Sequence, residues 1–122
     1  MSKAVASTFV IAERVNPILR IENWERSVEW YRQIGFEPVG EPHRFEAGLP
    51  AFGTVQNGDV GLFLSEHTGD ARPGTLIYLW VDEVDSIADH FRVVPDDMPW
   101  ARDIEITDPD GNRLRIGEAK PM

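Results

Sequence analysis

The order of structural signals in this chain runs through once and then repeats, and that repetition restricts the fold more than any single motif. Residues 16–21 read as a strand, with Pro17 tolerable only at its start or on an edge, where no ladder hydrogen bond is lost. Asn23 then offers a helix cap, Trp24, Val28, Tyr31 and Ile34 recur at helical spacing, and Gly35 can stop the helix in the left-handed conformation. A short strand is expected over 36–39 and a loop rich in proline and glycine over 40–50. Two further strands, 52–56 and 60–65, flank Asn57-Gly58, a strong hairpin signal.

Residues 66–74 have linker composition, and after them the pattern restarts. Residues 75–81 read as a strand, Asp82 as a helix cap, and Val84, Ile87, Ala88 and Phe91 as the apolar stripe of a second helix. Strands over 103–107 and 113–117 close around Asp108-Pro109-Asp110-Gly111-Asn112. A shift of 60 places Ile21 on Val81, Trp24 on Val84, Val28 on Ala88 and Tyr31 on Phe91. The last strands coincide at a shift of 52, which lays Leu62-Phe63-Leu64 on Leu114-Arg115-Ile116 and implies a shorter middle in the second copy. The expected organisation is an arm over 1–14 and one α+β domain over 15–122, made of module one (15–66) and module two (75–118). A lone module of about 50 residues buries too little apolar surface, so the two are expected to share one core.

Composition removes several functions. The chain has no cysteine, which excludes disulfides, thiolate metal sites and cysteine nucleophiles. No apolar run approaches the ~20 residues of a membrane helix, and no apolar leader follows Lys3, so a cytoplasmic protein is expected. The net charge of -9, from 21 acidic and 12 basic residues, disfavours nucleic acid and anionic membranes and favours cationic partners, or else serves solubility.

Two βαβββ units closed by the DPDGN turn resemble the vicinal oxygen chelate superfamily of glyoxalases, extradiol dioxygenases and bleomycin-resistance proteins. The segments 99–103 (PWARD), 60–65 (VGLFLS) and 73–76 (PGTL) look most like its bleomycin-binding branch. That resemblance implies a homodimer with grooves at the subunit interface, an N-terminal arm crossing to the partner near Pro17, and a noncatalytic, sequestering role toward a cationic aromatic antibiotic. The superfamily's enzymes place metal ligands on the first and last strands of each module. The matching positions here are Asn16, Leu76, Phe63 and Arg115, a set unsuited to a divalent cation, so no metal or other cofactor is expected. A superfamily enzyme acting on a small metabolite and a ligand-free interaction module stay open as alternatives.

The candidate ligand residues are Trp100, Phe52, Asp59, Tyr78, Trp80 and Arg102. Trp100, in a loop after Pro99, either stacks on a planar ligand or plugs the core beneath the loop. Phe52 is the stacking partner the resemblance implies, or an inward core residue. Tyr78 and Trp80 alternate with Ile77, Leu79 and Val81, as expected of a strand between a helix and a cavity. Glu46, Asp59, Asp96, Asp97 and Asp103 attract cations or are solvated turn charges. Arg115, if buried, needs a carboxylate partner. His43, His67 and His90 lack ligand spacing and read as surface residues, and Glu66 beside His67 offers groups for acid–base work, although adjacency in sequence makes no dyad and no nucleophile is implied. Trp24, Trp30 and Tyr31 read as core or interface.

Overall fold

The computed structural model describes residues 9–12 and 14–121. The duplication expected from the sequence is its organising feature. Module one comprises β1 (Ile18–Arg20), α1 (Trp24–Arg32), β2 (Glu37–Pro38), β3 (Phe52–Asn57) and β4 (Val60–Ser65). Module two comprises β5 (Leu76–Val81), α2 (Asp85–Phe91), β6 (Asp96–Asp97), β7 (Ala101–Thr107) and β8 (Arg113–Ala119). Each module folds its strands into a four-stranded sheet of the same order, β1-β4-β3-β2 and β5-β8-β7-β6. The first and last strands pair parallel and the remaining neighbours antiparallel in both.

Strand alternation turns Leu62 and Leu64 of β4, and Leu114 and Ile116 of β8, toward the helices, where all four are buried. They join Trp24, Val28 and Tyr31 of α1 and Ala88 of α2 in one continuous core, so neither module has a core of its own. Full burial of each such aliphatic side chain contributes about 1.5–3 kcal/mol. Trp30 of α1 meets Phe91 of α2 with ring centroids 5.8 Å apart.

Asn23 caps α1 as expected, its Oδ1 accepting from the Arg26 N–H at 2.9 Å. Asp82 does not cap α2: the helix begins at Asp85, its cap position is Val84, which offers no side-chain hydrogen bond, and Glu83 just before it accepts from the Ser86 N–H at 2.9 Å. A longer-range cap repeats in both modules. Glu66 accepts from the Trp24 N–H at 2.8 Å and Glu118 from the Val84 N–H at 3.0 Å. These glutamates coincide at the shift of 52 and their donors at the shift of 60. Glu66, considered beside His67 for acid–base work, therefore holds a helix start, and it also accepts from the Ala51 N–H at 2.9 Å.

The DPDGN turn clasps the two modules together. The Asp110 carboxylate accepts from the Glu22 N–H at 3.0 Å and from Arg26 at 2.7 Å, and the Asn112 amide donates to the Arg20 carbonyl at 2.9 Å. Tyr31, fully buried on α1, donates its hydroxyl to Asp108 at 2.7 Å. Burial, reinforced by the Asp108 charge, holds the Tyr31 phenol far above its ordinary value of 10.0. In the unfolded chain the same group ionises near pH 10. Stability from this site is thus fully present below pH 10 and falls above it, by about 1.4 kcal/mol per pH unit while the folded phenol stays neutral. Urea unfolding between pH 9 and 11.5 should show this decline, and Tyr31→Phe should flatten it by that slope.

Several strand boundaries differ from expectation: β1 is Ile18–Arg20 rather than 16–21, and β8 runs on to Ala119 rather than ending at 117. β7 starts at Ala101 rather than Asp103, and the two-residue β6, unmarked by any periodic signal, pairs with it. The arm expected over 1–14 falls partly outside the described residues, namely 1–8 and 13. Residues 9–12 carry no regular structure, and Val10, Ile11 and Val15 expose 93%, 73% and 81% of their surface. Among the described residues, no helix is long and apolar enough to cross a membrane.

Candidate functional site

The sheet faces turned away from the helices are the open surfaces of the molecule. On module two, alternation puts Leu76, Tyr78 and Trp80 of β5 there, together with Arg113, Arg115 and Gly117 of β8 and Asp103 and Glu105 of β7. Three candidate residues meet on this face. The rings of Tyr78 and Trp80 lie 4.8 Å apart, and the side chain of Trp100, from the loop before β7, approaches the Tyr78 hydroxyl. Trp80 and Trp100, each beside Tyr78, are 59% and 55% exposed, an unusual state for large apolar rings. Trp100 is accordingly no plug beneath the loop.

Tyr78 reaches across β8 and donates its hydroxyl to Asp103 at 2.9 Å. Partial burial, then this hydrogen bond and the carboxylate charge, hold its phenol above the ordinary 10.0. Asp103 itself is only 5% exposed. Arg115, which would need a partner if buried, has a side chain 43% exposed and still donates to Glu105 at 3.1 Å. Its charge is matched locally, so it does not stand as a bare cation against a cationic guest. Asp96, Met98, Asp103, Glu105 and Arg115 line a hollow of about 200 Å³ on this face.

The open face of module one is different in character. Phe52 packs on Phe63 with centroids 5.3 Å apart, which makes it a half-buried surface ring rather than an inward core residue. Asp59 lies in the hairpin turn and, with Arg14, Asn16, Thr54, Gln56 and Phe63, borders another hollow of about 200 Å³. Phe52 and Trp100 therefore belong to different sheets of the chain. Arg102 is on the opposite side of its sheet from Tyr78 and Asp103, ion-paired to Asp85 of α2 at 2.8 Å. A roomier cleft of about 290 Å³ runs between the modules, lined by Ile34, Phe36, Val60, Leu79, Trp80 and Ile87 among others. Sequence reasoning did not anticipate it, since its walls come from segments far apart in the chain.

Residues at the superfamily's metal positions do not fit a metal ion. Asn16, whose amide N–H donates to the Gly61 carbonyl at 2.9 Å, offers a single neutral oxygen, Arg115 is a cation engaged by Glu105, and Phe63 and Leu76 offer no ligand atom. No group of three or more His, Cys, Asp or Glu able to hold a metal ion occurs among the described residues. His43 and His90 sit in ring contacts with Phe45 and Phe91 at the surface.

Paired βαβββ modules with shared helical core and open sheet faces define a protein of the glyoxalase fold. The chain belongs to the glyoxalase superfamily: the family described as "Glyoxalase superfamily protein" matches residues 2–121. No curated protein matches it at a significant level. Among solved structures, a bleomycin-binding protein complexed with bleomycin is similar at 20% identity and TM-score 0.68, over 89% of this chain and 100% of that one. TnmS3, an antibiotic binding protein from Streptomyces sp. CB03234, is 21% identical with TM-score 0.70, over 91% of this chain and 100% of its own. A bleomycin resistance determinant encoded on the transposon Tn5 is 20% identical with TM-score 0.69, over 90% and 100%. Likeness at this identity shows the common fold.

Proposed function

We propose that this protein binds and sequesters a bulky, cationic aromatic antibiotic of the bleomycin type without transforming it, and so confers resistance by lowering free drug. The observation that carries this reading is the exposed Tyr78–Trp80–Trp100 cluster beside the carboxylates of Asp103 and Glu105. Flat rings there stack on a planar ligand, and the net charge of -9, with the exposed Asp96 at the neighbouring hollow, favours a cationic one, while Glu105 is already ion-paired with Arg113 and Arg115. Donor-poor metal positions make a metal-dependent superfamily reaction the weaker alternative.

Hollows of about 200 Å³ on each open face are small beside the ~300–1,000 Å³ of sites that enclose a drug-sized ligand. A homodimer that faces module one of one chain with module two of the other makes a groove of adequate size and sets Phe52 opposite the partner's Trp100. In this arrangement the apolar arm around Val10, Ile11 and Val15 crosses to the second copy, with Pro17 near the hinge. Equilibrium dialysis against copper-free bleomycin tests the reading: the drug should be retained by the protein and recovered at unchanged mass, with the protein sedimenting as a dimer. Chemically altered drug, or none retained, would count against it.

A further inference from the structure

Gly117 stands where any side chain would displace the ring of Tyr78. It faces the open side of module two from the middle of β8, in register with Trp80 on one side and Asp103 on the other. A Cβ at this position would lie 2.0 Å from the Tyr78 hydroxyl oxygen and 2.8 Å from Cζ of its ring. Glycine inside a strand gives up packing and conformational entropy, and a close approach of another group is the usual reason for it. Here the group is an aromatic ring that leans over the vacant position to reach the carboxylate on the third strand.

We propose that Gly117 is a specificity-determining residue of this face: by presenting no side chain, it lets Tyr78 lie across β8 to Asp103 and so sets the depth at which a planar ligand meets Trp80 and Trp100. The inference rests on the functional reading above and assigns the ligand class a shape requirement. With alanine at 117, Tyr78 loses its seat and its hydrogen bond, and swings into the space that a flat ring would fill. Gly117 is a positioning residue, acting only through Tyr78. Asp103 has a related role as the tether of that ring.

Two measurements on Gly117→Ala separate this role from general damage to the fold. The chain has two tyrosines, so tyrosine labelled with ¹³C at Cζ gives two resonances, and Tyr31 is identified by Tyr31→Phe. The Tyr78 signal should titrate closer to the ordinary value in Gly117→Ala than in the unsubstituted protein, with the far-ultraviolet circular dichroism unchanged. Affinity for copper-free bleomycin should fall tenfold or more, and adding Gly117→Ala to Tyr78→Ala should produce no further loss. An unmoved Tyr78 titration, or an equal loss in the Tyr78→Ala background, would overturn the role of Gly117. Failure of the unsubstituted protein to bind the drug would instead overturn the functional reading, which the ligand-free titration does not depend on.

Discussion

Asp108→Ala should lower the stability of the protein by about 3–5 kcal/mol, since each buried donor left without an acceptor costs roughly 1–3 kcal/mol. Its carboxylate, 4% exposed, accepts from the Tyr31 hydroxyl at 2.7 Å, the Asp110 N–H at 2.8 Å, the Asn112 N–H at 2.9 Å and the Asn112 amide at 3.0 Å. Alanine strands all four donors. Tyr31 and Asn112 are fully buried, so water cannot readily replace the lost oxygen atoms. Removal of the carboxylate also frees the turn whose Asp110 holds the start of α1. Asp108→Asn keeps the volume but exchanges one acceptor for a donor that faces other donors, so its loss should approach that of alanine. Urea unfolding followed by tryptophan fluorescence gives the comparison. A loss below about 1 kcal/mol would mean that the clasp contributes little beyond an ordinary surface turn.

Trp100→Ala should weaken ligand binding by about 10- to 100-fold, corresponding to ~1.4–2.8 kcal/mol, the range of an aromatic anchor at an interface. More than half of the indole is exposed, so little core packing is lost and stability should change by no more than about 0.5 kcal/mol. Trp80→Ala should have a comparable effect on binding, because its ring supports Tyr78 at 4.8 Å. Fluorescence titrations of both variants with the drug, paired with their urea midpoints, separate loss of contact from loss of fold. Affinity unchanged in both variants would remove the aromatic cluster from the site.

Much of this architecture was legible in the sequence because it rests on local physics. The Asn57-Gly58 signal between two apolar runs located the β3–β4 hairpin, although its two-residue loop is Gly58-Asp59 with Asn57 paired to Val60, and the Asn23 cap with its apolar stripe located α1. The matching registers at shifts of 60 and 52 then disclosed the duplicated topology. Tertiary partnerships were not legible. Nothing local says that Glu66 and Glu118 reach back to helix starts, or that the side chains of the DPDGN turn bind the other module.

The face of Arg102 was hidden by a two-residue error in where β7 begins. A strand starting at Asp103 leaves Arg102 in a loop, free to line a groove. Extending it to Ala101 applies the alternation to Arg102 and puts it with Ile104 on the helix side, against Asp85. Gly117 had a legible signal, a glycine inside a strand, but the group it accommodates comes from a neighbouring strand 39 residues earlier, at Tyr78. Trp100 could be singled out from its loop position and the family-like segment 99–103, and Trp80 from a strand apolar on both faces. Their meeting at Tyr78 is a product of the fold.

Calorimetric titration of metal-stripped protein with copper-loaded and copper-free bleomycin, at low and moderate salt, tests the central claim most directly. Binding should be saturable at micromolar concentration or tighter, near one drug per chain, weaker at higher salt and lost in large part with Trp100→Ala. Heat at the noise level for both forms of the drug would contradict it and exclude bleomycin-type compounds as the ligand of this face.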